Sequence, residues 1–132
     1  MKQTTPYYCG PACIEYIAVT FGPYKEGELS QSSIAGAIGT TTEGTGIKGI
    51  RAGLRLLGLK FSSLRGKQRR FPTDHAVVWD RTRDHWLVAH RVFAQWNVFD
   101  PENGATSQYD ESQFRKAFFN NWDSYGIFWR TA

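Results

Sequence analysis

The amino-acid sequence predicts an α+β fold, with helices gathered in the first half of the chain and an antiparallel sheet in the second. Two observations carry this. Up to Leu57 the apolar residues recur at helical three- and four-residue spacing, whereas from Leu59 onward they form short blocks rich in β-branched and aromatic residues. The turns between those blocks are short and polar, which pairs consecutive strands antiparallel. No internal repeat, low-complexity tract or proline-rich linker interrupts the 132 residues. A single domain over residues 1–132 is expected, and 41% hydrophobic residues are enough for an ordinary core.

The elements follow in order. After Cys9-Gly10, Pro11 stands where a first-turn proline is tolerated, and Ala12 to Phe21 is apolar except for Glu15 until Gly22-Pro23 ends it. This predicts a buried helix with Cys9 just ahead of it. Ser30 caps a short second helix to Ile38, with Ile34, Ala37 and Ile38 on its apolar side. Ile47, Ile50, Leu54 and Leu57 mark the inner stripe of a third, with Lys48, Arg51 and Arg55 opposite and Gly58 as its stop. Strands are expected over 60–64, 75–79, 85–93 and 96–99, with turns at 80–84, 94–95 and 101–104. Asp110 caps a helix through Phe119, and 125–129 supplies a final strand.

Composition excludes several functions. The longest apolar stretches fall far short of the roughly 18 residues a membrane span needs, and no basic start precedes an apolar block. No membrane span and a cytoplasmic location are therefore expected. The formal charge is +4 with a pI near 9.2, spread along the chain except for Arg65, Lys67, Arg69 and Arg70. Without interleaved aromatic residues or a binding motif, that run reads as a solvated loop rather than a nucleic-acid surface. Two cysteines do not make a disulfide scaffold, and because Cys9 and Cys13 are four positions apart a helix points both side chains the same way rather than at each other. His75, His85 and His90 complete no zinc-finger spacing, so neither metal nor organic cofactor is expected.

A thiol attacks as thiolate, a form favoured by the positive end of a helix and by a neighbouring imidazolium. Cys9, ahead of the first helix, has access to both and is expected to be exposed, whereas Cys13, one turn inside, belongs to the core. The general base must be a histidine oriented by a third group. Strand alternation places His85, Leu87 and Ala89 on one face and Trp86, Val88 and His90 on the other, so His85 and His90 cannot share a site. The short hairpin turn brings the end of the next strand, at Asp100, back beside His85, while His90 lies near the turn. Asp100 also suits a turn cap before Pro101. Gln3 carries an amide of the kind that holds a developing oxyanion.

The run Gln3-Thr4-Thr5-Pro6-Tyr7-Tyr8-Cys9-Gly10-Pro11-Ala12-Cys13 resembles the start of the double-glycine, bacteriocin-processing cysteine peptidases, family thirty-nine of the papain-like group. Gly44-Thr45, Leu57-Gly58-Leu59, Trp79, His85-Trp86-Leu87-Val88 and Asp100-Pro101-Glu102-Asn103-Gly104 continue the family's order over nearly the whole chain. The resemblance implies a papain-like fold, with Cys9 as nucleophile, His85 as base, Asp100 as its orienting group and Gln3 as oxyanion donor. It further implies a peptide or protein substrate, with a leader cleaved after Gly-Gly as the type. Tyr8 departs from the aspartate common before the nucleophile, and nothing in the chain resembles an exporter's membrane domain or ATPase. Two alternatives share the residues: another thiol acyl transfer (amidase, deamidase or transglutaminase-like), and a catalytically silent peptide-binding module.

Overall fold

The computed structural model describes residues 1–130, which form four helices and six strands. Three helices come first: α1 (Cys9–Thr20), α2 (Gln31–Ile38) and α3 (Ile47–Leu56). Strands β1 (Lys60–Arg65), β2 (His75–Asp80), β3 (His85–Val92), β4 (Gln95–Asp100) and β5 (Ala105–Asp110) follow, then α4 (Glu111–Phe118) and β6 (Tyr125–Arg130). All pairs in the sheet are antiparallel, in the order β1-β6-β2-β3-β4-β5. The α+β expectation holds, and the meander runs from β2 to β5.

Two features depart from the sequence reading. β1 does not pair with its successor β2, because β6 lies between them with Lys60 opposite Arg130 and Val77 opposite Ile127. The loop between β1 and β2, which carries the basic run, is long enough to permit this and buries Phe71 on its way. β5 was not expected as a strand because its sequence, ATSQYD, is polar and mostly exposed; it is an edge strand, held by register with β4 rather than by an apolar face.

The central strands are apolar almost throughout because both faces are covered. Trp86 and Val88 of β3, Val77 of β2 and Ile127 and Trp129 of β6 pack with Cys13, Ile14, Ile17, Ile50 and Leu54 of the first helices. Leu87, Ala89, Ala76, Val78 and Phe128 face the other way, onto Phe114, Phe118 and Phe119. Phe114 stacks on Trp96 with ring centroids 4.1 Å apart. Asp110 starts α4 through a capping box with Gln113, an arrangement whose loss typically destabilises a helix by about 1 kcal/mol.

The N-terminal segment is fastened to this frame by long-range polar contacts. Gln31, buried on α2, accepts from the Thr4 N–H (2.8 Å) and donates to the Lys2 carbonyl (2.8 Å) and to Glu15 (3.0 Å). The Gln3 N–H donates to the Pro101 carbonyl at 2.7 Å. Gly104, at φ +72, lets the turn after β4 pass against the Met1 carbonyl, where a Cβ would collide. Residue 3 is thereby fixed beside the end of β4.

Candidate active site

Cys9 is the first residue of α1, not the residue before it. Tyr8 occupies the N-cap and offers no side-chain acceptor, so the first N–H groups of the helix keep no capping partner. The Cys9 side chain is buried, at 8% exposure, rather than exposed as its position suggested; it opens only into a cleft of about 570 Å³. Gln3, Gly44, Arg83, His85 and Glu102 line the same cleft. Behind the thiol, a Cβ on Gly10 would lie 2.3 Å from Thr45 Oγ1, so only glycine allows α1 to approach the loop after α2 this closely. That loop is itself held to the sheet, because Trp86 Nε1 donates to the Thr45 carbonyl at 2.8 Å and the Thr40 and Thr45 hydroxyls bond at 2.8 Å.

His85 opens β3. Alternation assigns it to the face of Leu87 and Ala89, but as the first residue of the strand its ring is not confined there. Its ring lies in the cleft with Cys9, whose helix covers the opposite face. Its Nε2 bonds Asp100 Oδ1 at 2.8 Å. With Nε2–H donating to the carboxylate, Nδ1 is the nitrogen left for the thiol. Burial pulls the imidazole's pKa down, yet the hydrogen bonds and charges of Cys9 and Asp100 outweigh it and hold the pKa above its ordinary value.

Asp100 ends β4, as the hairpin argument required: Val88 pairs with Phe99, which leaves Asp100 alongside the start of β3. Burial raises its pKa, but bonds from His85, the Glu102 N–H (2.9 Å) and Arg83 (2.9 Å) prevail and lower it below the ordinary carboxylate value. The turn cap expected of Asp100 is present, and the same carboxylate oxygen receives the Glu102 N–H and His85 together.

Gln3 lies in the cleft with Cys9, but its amide is turned onto its own turn. Nε2 donates to the Thr5 carbonyl (2.9 Å) and the Pro6 carbonyl (3.2 Å), and Oε1 is buried without a partner among the described residues. The remaining candidates lie elsewhere. Cys13 is fully buried, donates its thiol to the Trp86 carbonyl at 3.3 Å, and has its pKa pushed well up by burial and then by the charges of Cys9 and Asp100. Both cysteines are free thiols. His75 and His90 face each other at the opposite end of the β2–β3 pair, rings stacked 4.7 Å apart against Phe21 and Trp129, and burial lowers both pKa values.

His85, Asp100 and Glu102 offer ligand atoms within 4.8 Å of one another. They suit a metal poorly, because His85 Nε2 and Asp100 Oδ1 are spent on each other and the Arg83 guanidinium already bonds both Asp100 and Glu102. Arg83 and Gln31 were not foreseen from sequence, and Thr45 entered only within the Gly44-Thr45 pair, without a role. The contacts that tie each to the site join distant segments, Arg83 to Asp100, Gln31 to Thr4 and Thr45 to Trp86, and these leave no local spacing to detect.

A helix-borne thiol sharing a cleft with a strand-borne imidazole, which a carboxylate bonds in turn, is an arrangement suited to acyl transfer. The chain belongs to the Peptidase C39 family, whose model matches residues 1–129. The family match makes the chain a cysteine peptidase. Among solved structures it is similar to the peptidase domain of Streptococcus ComA, a bi-functional ABC transporter involved in quorum sensing. That match has a TM-score of 0.71 at 19% identity and covers 100% of this chain and 97% of that one. It is also similar to a double glycine motif protease from an AMS/PCAT transporter in complex with its leader peptide, with a TM-score of 0.73 at 13% identity over 100% and 90% of the two chains. The peptidase domain of Streptococcus mutans ComA gives a TM-score of 0.62 at 19% identity over 98% and 97%. At these identities the likeness establishes the fold. No curated protein matches the sequence significantly. No helix among the described residues is long and apolar enough to cross a membrane.

Proposed function

We propose that residues 1–132 act as one peptidase domain that hydrolyses peptide bonds through Cys9, His85 and Asp100, with Gln3 assisting at the oxyanion. The observation that carries this is the position of His85, which shares the cleft with the Cys9 thiol and bonds Asp100 Oδ1 at 2.8 Å. His85 Nδ1 takes the thiol proton, and the imidazolium so formed faces the Asp100 carboxylate. The thiolate sulfur attacks the scissile carbonyl, whose oxygen takes up the electron pair. The Cys9 N–H, at the uncapped start of α1, is one donor to that oxyanion. Gln3 becomes the second when its amide leaves the longer of its two bonds, to the Pro6 carbonyl, and turns toward the sulfur. Collapse of the tetrahedral species breaks the C–N bond, with the His85 proton passing to the departing amine. A water molecule deprotonated by His85 then cleaves the thioester, releasing the acid and restoring the thiol.

The substrate is a peptide or protein, and we infer a leader ending in Gly-Gly, because the similar AMS/PCAT protease is a double glycine motif enzyme seen with a leader peptide. The experiment is cleavage of peptides carrying Gly-Gly before the scissile bond, with products identified by mass spectrometry. The wild type is expected to cut after the second glycine, and Cys9→Ala not at all. Binding of such a peptide without cleavage, at equal affinity in Cys9→Ala, would replace this reading with that of a silent binding module.

A further inference from the structure

Asp100 is held from two sides. One oxygen serves His85; the other receives Arg83, from the turn between β2 and β3, with Nη2 to Oδ2 at 2.9 Å. The same guanidinium donates through Nε to Asp80 Oδ2 at 3.0 Å and through Nη1 to Glu102 Oε2 at 3.1 Å. Its three nitrogens thus reach the end of β2, the end of β4 and the turn that follows β4. We propose that Arg83 is a positioning residue of the site, fixing the plane of the Asp100 carboxylate from the side away from His85 and tempering the charge that this carboxylate presents to the imidazole.

The inference rests on the proposed roles of His85 and Asp100, and two arguments carry it. The first is geometric. A terminal carboxylate rotates broadly about χ2, and a single bond to His85 does not fix its plane; Oδ1 paired to His85 and the Glu102 N–H, with Oδ2 paired to Arg83, does. A planar fork with fixed donors suits this task, and a lysine ammonium, able to reach one or two of the acids, does not. The second is energetic. The Arg83 side chain is 42% exposed, and an ion pair that open contributes little to folding. Its consequence therefore falls on the group it orients, with little effect on overall stability.

The charged and titratable groups around His85 are Tyr7 of the N-terminal segment, Cys9 of α1, Asp100 of β4, Asp80 at the end of β2, Arg83 and Asp84 of the intervening turn, Glu102, and Glu43 of the loop after α2. Arg83 is the single cation of that set, so its removal leaves the imidazolium among unopposed acids and favours the protonated ring.

The test is NMR titration of the His85 ring in wild type, Arg83→Gln, Arg83→Lys and Arg81→Ala, with Cys9 alkylation by iodoacetamide followed over the same pH range. Arg81 pairs with Asp123 from the same turn and does not touch Asp100, which makes it the control for loss of a nearby surface cation. Arg83→Gln is expected to move the His85 midpoint upward by about half a pH unit through the lost positive charge. Because the Asp100 carboxylate is no longer held in its plane, the same change is expected to slow alkylation at neutral pH roughly tenfold in spite of the larger imidazolium fraction. Arg83→Lys is expected to keep the wild-type midpoint while alkylation stays slow, and Arg81→Ala to match wild type in both. Free guanidinium, at concentrations that leave the fold intact, should restore part of the alkylation rate to Arg83→Gln and none to Arg83→Lys. An unchanged midpoint and rate in Arg83→Gln would overturn the proposal and leave Arg83 a surface ion pair. Because the titration needs no turnover, a wild type that cleaves no peptide would defeat the peptidase reading while this measurement still decides the role of Arg83.

Discussion

Asp100→Asn separates the orienting charge from the shape that carries it. In the wild type the carboxylate accepts from His85 Nε2, the Glu102 N–H and Arg83. Asparagine retains one acceptor oxygen, and Arg83, which carries only donors, competes for it. Satisfying Arg83 turns the new Nδ2 donor toward His85 Nε2, which moves the ring proton to Nδ1 and points a donor, instead of a lone pair, at the thiol. The imidazolium also loses its counter-charge. Two unit charges about 4 Å apart interact by roughly 4 kcal/mol at an effective dielectric of about 20. The partial exposure of Asp100 and the share of its charge held by Arg83 reduce this to roughly 2–4 kcal/mol, or about 30- to 1,000-fold in rate. The assay is kcat and KM for a Gly-Gly peptide, alongside the rate of Cys9 alkylation between pH 5 and 9. Both rates should fall within that range, KM should hold, and the His85 midpoint should drop. Activity within threefold of wild type and an unmoved pH profile would refute the argument that Asp100 acts through His85.

The other predictions concern the thiols, the helix approach and acid stability. Iodoacetamide should modify Cys9 at least tenfold faster than Cys13 near neutral pH, read by peptide mapping, because Cys13 is sealed in the core with a raised pKa. Gly10→Ala should destabilise the fold by roughly 1–3 kcal/mol in chemical denaturation, since the added methyl collides with Thr45; a loss under about half a kcal/mol would mean the loop gives way freely. The folded pKa of Asp100 and of Asp80 lies below the unfolded value, so their stabilisation is present above about pH 4 and is lost as pH falls through the folded values. His85 has the opposite sign: its folded pKa is raised, so its contribution is full below about pH 6.5 and is lost as pH rises through the folded value. Denaturation midpoints measured from pH 3 to 9 should fall toward the acid end, and Asp100→Asn should flatten that fall.

The parts of the site that were legible in sequence are those set by local pattern. Proline and the apolar run after Cys9 mark the start of a helix. A short hairpin turn, expected at 94–95 and found one residue earlier at Phe93-Ala94, returns Asp100 to His85 and leaves His90 toward the other end of β3. The period of β3 did not place His85, whose ring turns to the face of α1. What could not be read depends on segments far apart in the chain. β6 enters between β1 and β2 because its apolar residues fit both faces of the sheet, a choice made by packing across some sixty residues. The burial of Cys9 follows from the loop at Thr45 and from the N-terminal segment that Gln31 fastens down. Polar β5 carries no alternation to betray it, and Arg83 sits in a turn whose charges look ordinary until three acids converge on it.

Intact-mass and peptide-map analysis after treatment with an electrophilic peptide ending in Gly-Gly addresses the nucleophile and its base together. A single adduct on Cys9 is predicted in the wild type, abolished in Cys9→Ala and slowed at least a hundredfold in His85→Ala, with the double variant no worse than Cys9→Ala because the two groups share one step. An adduct on Cys13, or one on Cys9 that forms equally fast without His85, would contradict the account.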